Sequence, residues 1–170
     1  MVTALTVAEF AHVIFGMMWV GTSIYVEAVL VPTARDMRSS GAFRGMLPLF
    51  GRTSMFQTVS GVFVLLTGVV YLLVKYPISE ILAPTGATVT PAVLALIGLV
   101  LVIVALANGM VFLKPTAMKI AKSSWPADPA APVPEAVMGQ FRFLARGASI
   151  NTGIVIVVLL LMVMAGTGGI

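Results

Sequence analysis

The sequence predicts an all-α polytopic membrane protein: one domain, residues 1–170, folded as a bundle of four transmembrane helices arranged as two tandem helical hairpins. Three observations predict it. Hydrophobic residues make up 59% of the chain and charged residues only 9%, with a mean hydropathy of +1.09, a composition in which the bilayer is the solvent. Four apolar stretches, at about 7–31, 53–74, 91–113 and 149–165, are each close to the roughly 20 residues that cross a hydrocarbon core. All ten Lys and Arg residues except Lys75 fall in the first and third connections between these stretches.

The first stretch has no basic residue ahead of it, is long, and contains Glu27, so it is expected to remain as a helix rather than act as a cleaved signal. Pro32-Thr33-Ala34 is expected to end it. The connection 35–51 carries Arg35, Arg38 and Arg44 together with Gly41, Gly45 and Pro48, the composition of a short excursion. Gly61 and Gly68 mark close helix contacts on the second stretch, and Gly98 does so on the third. Between them, the loop 76–90 holds Pro77, Pro84 and Gly86, and Thr90-Pro91 signals a helix start. The third connection is rich in proline from Pro126 to Pro134, after which Pro134-Glu135 again resembles a first helical turn, so the fourth helix can begin well before its apolar part.

A weak repeat relates the two hairpins. Pro32-Thr33-Ala34 is echoed by Pro115-Thr116-Ala117, and Arg52 with Gln57-Thr58 by Arg146 with Asn151-Thr152. Both hairpins start and finish on the same side, so the repeat is parallel, about an axis along the membrane normal. Because cytoplasmic loops retain positive charge, the first and third connections are expected in the cytoplasm and both termini outside a cell membrane. The formal charge of +4 then faces anionic lipid, and nucleic acid is not an expected partner. The chain has no cysteine, which excludes disulfides, thiolate ligands and cysteine-bound Fe–S clusters. It has no P-loop and no HExxH pattern, so any reaction needs a cofactor or a partner.

Polar chemistry concentrates on the first helix. Glu9, His12, Gly16, Trp19, Ser23 and Glu27 are three or four residues apart throughout and share one stripe, which is costly against lipid and belongs inside the bundle. His12 is the only histidine and would lie roughly 7 to 8 Å below the outer end at 1.5 Å per residue. Two readings stand for it: an interhelical hydrogen bond, with Glu9 as one partner, or a metal or haem ligand with space opened by Gly16. A second axial ligand would be a methionine, an open position or the His12 of another copy. Glu27 near the basic end, with Arg52 and Arg146 opening helices two and four, is expected to form a polar cluster extended by Gln57, Asn108 and Asn151. Within it the arginines either pair with Glu27 or hold an anionic group such as a haem propionate or a lipid phosphate.

The segment Ala11-His12-Val13-Ile14-Phe15-Gly16-Met17-Met18-Trp19-Val20-Gly21, followed by Pro32 and the basic turn, resembles the first helix of the CopD-like and HemJ-like small membrane proteins. The resemblance is clearest over residues 8–75. It implies a four-helix unit in which His12 matches a histidine implicated in haem b or copper binding; this chain differs in having no second histidine and in carrying Lys114 at the inner end of helix three. The expected function is therefore a haem b-binding membrane protein for electron transfer or haem handling, with His12, Gly16, Arg52 and Arg146 at the cofactor and membrane lipid and a homo-oligomer or larger complex as partners. A cofactor-free structural subunit of a membrane complex is the alternative, and copper transport the third reading.

Overall fold

A four-helix bundle is what the chain forms. The computed structural model describes residues 3–82 and 89–166, so the loop residues Pro84 and Gly86 lie outside the described residues. The long helices are α1 (Ala4–Asp36), α2 (Ser40–Lys75), α3 (Pro91–Ala121, helical from Val89) and α4 (Glu135–Ala165). Each is long and apolar enough to cross a membrane, and large apolar side chains such as Phe10, Met55, Val100 and Leu160 lie exposed where lipid would cover them. A short helical turn, Ile78–Leu82, follows α2. The packing is tightest within the hairpins α1–α2 and α3–α4; α1 also contacts α4 and α2 contacts α3, which sets α1 diagonally across from α3.

Two sequence expectations about helix ends are corrected. Pro32 and Pro115 do not terminate α1 and α3: each follows a π-helical turn, Val26–Leu30 in α1 and Gly109–Leu113 in α3, after which the helix resumes. Proline lacks an N–H and crowds the preceding turn; widening that turn to five-residue hydrogen bonding removes the conflict, as Val31 N bonds Val26 O and Lys114 N bonds Gly109 O. Thr33 Oγ1 donates to Val29 O at 2.7 Å, and Thr116 Oγ1 donates to Phe112 O at 2.8 Å. The same device at matching positions of both hairpins gives the repeat a structural basis.

The second correction concerns 35–51, which is mostly helix. α2 begins at Ser40, with Ser39 Oγ accepting from Ala42 N at 3.4 Å. Its first N–H groups are taken by the Pro-rich segment: Ser40 N donates to Ala131 O at 2.8 Å and Gly41 N to Pro129 O at 2.9 Å, satisfying donors that a helix start leaves open. Pro48 sits inside the helix on an exposed face. The fourth helix begins at Glu135, as Pro134-Glu135 signals, where Glu135 pairs with Arg142.

The interior is layered along the bundle axis. At the basic end Leu30, Phe43, Met46, Ile120 and Phe141 form one apolar cluster, with Phe43 edge-on to Phe141 at 5.2 Å. A second cluster of Trp19, Val64, Val102, Leu106, Val155 and Val158 lies farther along. Trp19, 2% exposed, is a packing residue as its place on the polar stripe implies; a Cβ on Gly61 would come within 3.0 Å of its Nε1. Polar side chains of Ser23, Glu27, Gln57, Asn151 and Thr152 lie between the clusters.

Gly41 has no room for a side chain, since an added Cβ would lie 2.8 Å from Pro129 Cβ and 3.0 Å from Pro129 O, whereas one on Gly45 would meet nothing within 4 Å. Gly41→Ala is expected to destabilise the fold by about 1–3 kcal/mol. Gly45→Ala should leave it unchanged or more stable. Thermal melting of both variants in detergent checks the contrast.

Candidate functional site

The end of the bundle opposite the basic cluster holds a cavity of about 370 Å³ lined by residues of all four helices. Small residues create it. Gly16 of α1, Gly68 of α2, and Ala95 and Gly98 of α3 line its walls, and a Cβ built on Gly16 would meet nothing within 4 Å, in keeping with the open space expected beside His12. Pockets of this size and apolar character are those that take small molecules and cofactors. The second apolar cluster, with Val64 and Val102 on the cavity wall, closes the inner end.

His12 is half-buried on the cavity wall and bonds neither Glu9 nor an arginine. Its Nδ1 lies 3.2 Å from Thr67 Oγ1. The Thr67 hydroxyl also lies 2.6 Å from Phe63 O, to which it can donate, and in that arrangement it accepts from His12. A neutral His12 with its proton on Nδ1 would leave the Nε2 lone pair to a Lewis acid. Metal-binding histidines are commonly oriented in this way, with one ring nitrogen fixed by a protein acceptor. The ring also lies against Gly68, where a Cβ would come within 2.8 Å of His12 Cε1, and parallel to Tyr71 at 6.3 Å between centroids.

Two thioethers, Met17 and Met162, line the same cavity. At its mouth Lys75 Nζ donates to Tyr71 Oη at 3.1 Å and sits 5.4 Å from the Tyr76 ring. Glu9 is exposed on the rim. One imidazole with a free Nε2, two soft sulfur atoms, an apolar space and a cation at the mouth form a donor set that fits a haem or a Cu(I) ion. Among the described residues no group of three or more His, Cys, Asp or Glu comes together, so sites of the zinc or non-haem iron kind are not built here.

The predicted inner cluster is only partly assembled. Gln57 Nε2 donates to Ser23 Oγ at 2.8 Å, Thr152 Oγ1 donates to Ser23 O at 3.3 Å, and Asn108 Nδ2 approaches Asn151 Oδ1 at 3.5 Å. Glu27 is not paired with Arg52 or Arg146. Its Oε1 accepts from Ser149 Oγ at 2.7 Å, while both arginines are exposed and, among the described residues, the single ion pair is Arg142–Glu135. Long guanidinium side chains at a bundle surface reach lipid phosphate and water more cheaply than an interior site. Nor do the arginines share a site with His12: Arg52 is fifteen residues from Thr67 along α2, about 22 Å at 1.5 Å per residue, too far for one macrocycle to touch both.

Thr67, Tyr71 and Lys75 are the residues that sequence reasoning missed. Their spacing of four, in an otherwise apolar helix, is the same one-face signal that singled out His12. Comparison with protein-family models, curated proteins and solved structures gives no match. Fold and site together define a four-helix integral membrane protein with a cofactor-sized cavity inside the bundle.

The proton assignment is directly testable. Nitrogen NMR of the labelled protein is expected to show neutral His12 in the Nδ1–H form. Thr67→Val removes the acceptor and should shift His12 towards a tautomer mixture; an unchanged spectrum would disprove the role given to Thr67.

Proposed function

We propose that this chain is a membrane haem b-binding protein serving electron transfer or haem handling, in which His12 would hold the haem. The observation that carries the reading is the sole histidine on the wall of an apolar cavity, its Nδ1 held 3.2 Å from Thr67 Oγ1. Met162 on α4 would help to hold the haem, and Gly16 would give it room against α1. Lys75, with Tyr71 and Tyr76 near it, takes the propionate role that Arg52 and Arg146 were expected to fill, because it is the cation on the cavity rim. Bound haem supplies one-electron chemistry. The chain supplies an oriented imidazole, an apolar shell that limits water, and a cation for the carboxylates. This reading agrees with the first-helix resemblance to the CopD-like and HemJ-like proteins.

A second reading uses the same atoms. His12 Nε2 with the Met17 and Met162 sulfurs is a soft donor set suited to Cu(I). Arg52 and Arg146, exposed and far from the cavity, serve as contacts for anionic lipid headgroups. With the positive charge retained inside, residues 33–52 and 114–147 face the cytoplasm and both termini lie outside.

Protein purified after expression with ample haem is expected to show a Soret band that His12→Ala abolishes or strongly shifts, with membrane insertion intact because the apolar spans are untouched. Lys75→Ala should weaken haem retention, whereas Arg52→Ala should not. Wild-type protein without haem but with bound copper would select the second reading. Protein with neither would leave the role of a structural subunit.

For sidedness, Ser124→Cys and Ser79→Cys are both at exposed positions. In intact cells an impermeant thiol reagent should label only the cysteine at 79. Labelling only at 124 would reverse the orientation.

A further inference from the structure

Glu27 is the one carboxylate of α1's interior stripe at the inner polar layer, and it stands in an unusual turn. Its Oε1 accepts from Ser149 Oγ at 2.7 Å. Its Oε2 is buried and, among the described residues, has no hydrogen-bond partner; no Lys, Arg or His there lies within ion-pair distance of it. A buried carboxylate with an open oxygen is costly at membrane depth unless a proton or another cation completes it.

The same turn also releases a main-chain acceptor. In four-residue register the Glu27 carbonyl would take the N–H of Val31, but that N–H bonds Val26 O. In five-residue register it would take the N–H of residue 32, which is proline and has none. The π-helical turn therefore leaves Glu27 with an open carbonyl oxygen as well as an open carboxylate oxygen. Carbonyls freed where a membrane helix departs from α geometry are a recurrent source of ligands for coupling ions. Thr152 Oγ1, which donates to Ser23 O at 3.3 Å, adds a further oxygen one turn from Ser149.

We propose that the Glu27 turn binds one monovalent alkali cation, with Glu27 Oε2 and the Glu27 carbonyl as ligands and Ser149 as the positioning residue that holds the carboxylate. The charge selects the ion. One carboxylate balances one unit of positive charge, whereas a divalent ion would leave a net charge in the bundle interior, and the oxygen donors are those of a hard cation. The second hairpin contains the matching turn with the same proline, yet Met110 stands where α1 has Glu27. Met110 is 50% exposed, so the repeat places the site in one hairpin only. The site is independent of His12, which is fifteen residues earlier on α1.

The test is thermal melting of the purified full chain in detergent, titrated with sodium or potassium chloride against choline chloride at constant ionic strength. Wild-type protein is expected to melt higher in the small cation, along a saturating curve. Glu27→Gln should abolish that response, Met110→Leu should keep it, and Ser149→Ala should raise the half-saturating concentration about tenfold, the loss expected from removing a hydrogen bond to a charged group. Identical melting of the wild type in sodium, potassium and choline overturns the proposal, as does an undiminished response in Glu27→Gln. Should Glu27→Gln fail to fold, binding of radioactive sodium to the wild type decides. Saturation at one site per chain, weakened by Ser149→Ala, supports the site; the absence of saturable uptake overturns it.

Discussion

Within a bilayer each main-chain donor and acceptor has to be satisfied by the protein itself, and the structure is organised around the two places where proline makes that impossible in plain α geometry. Pro32 and Pro115 each remove an N–H, each is preceded by a π-helical turn, and each is followed by a threonine whose hydroxyl returns to a carbonyl four residues back. These devices let α1 and α3 run on past the apolar stretch and carry Arg35, Lys114 and Lys119 to the basic end. They also fix where the interior changes character, because a widened turn shifts the helical face that follows it. Leu30, Val31 and Ala34 come to face the apolar cluster at that end, while Ser23, one turn before the π-helical segment, faces Gln57 and Thr152.

This change of face divides the bundle into working depths. The basic end is cemented by aromatic packing and by the Pro-rich segment crossing the start of α2. Its Arg52 and Arg146 lie exposed. The opposite end packs around glycine and alanine, and space remains there. Trp19 and Val64 separate this cavity from the polar layer. An imidazole on one side of the divide and a carboxylate on the other therefore stand in different surroundings, although they belong to one stripe of one helix.

Much of the fold was legible because membrane helices advertise themselves by length and composition, and the helix contacts at Gly61 and Gly68 and the packing role of Trp19 followed from small residues and stripe geometry; the contact expected at Gly98 is not made, since a Cβ there would meet nothing within 4 Å and the residue lines the cavity instead. The helix ends were not legible. Pro32 and Pro115 read as terminators since proline usually is one, and only the three-dimensional π-turn shows that the chain absorbs it. Gly41, Gly45 and Pro48 read as loop because the donors that stabilise the start of α2 meet carbonyls roughly ninety residues later in the chain, a partnership that local propensity cannot reveal. The candidate site divides in the same way. His12 and Gly16 could be placed on an interior face from spacing alone, whereas assigning Arg52 and Arg146 to the same ligand required a depth that only the pairing of α1 with α2 supplies.

That pairing explains why Lys75 stands where it does. Because α1 and α2 are antiparallel, a residue near the start of α1 meets the far end of α2, and the register set by His12 against Thr67 brings Tyr71 and Lys75 successively closer to the mouth. The stripe thus runs from a neutral ligand atom beside apolar walls to a cation at the surface. A molecule with an apolar body and an acidic edge is matched along its whole length by that gradient, and inversion would place its charged edge against Trp19, Val64 and Val102, where desolvation opposes it. The polarity of the cavity is therefore graded along its length, and helix register rather than a dedicated loop sets that gradient.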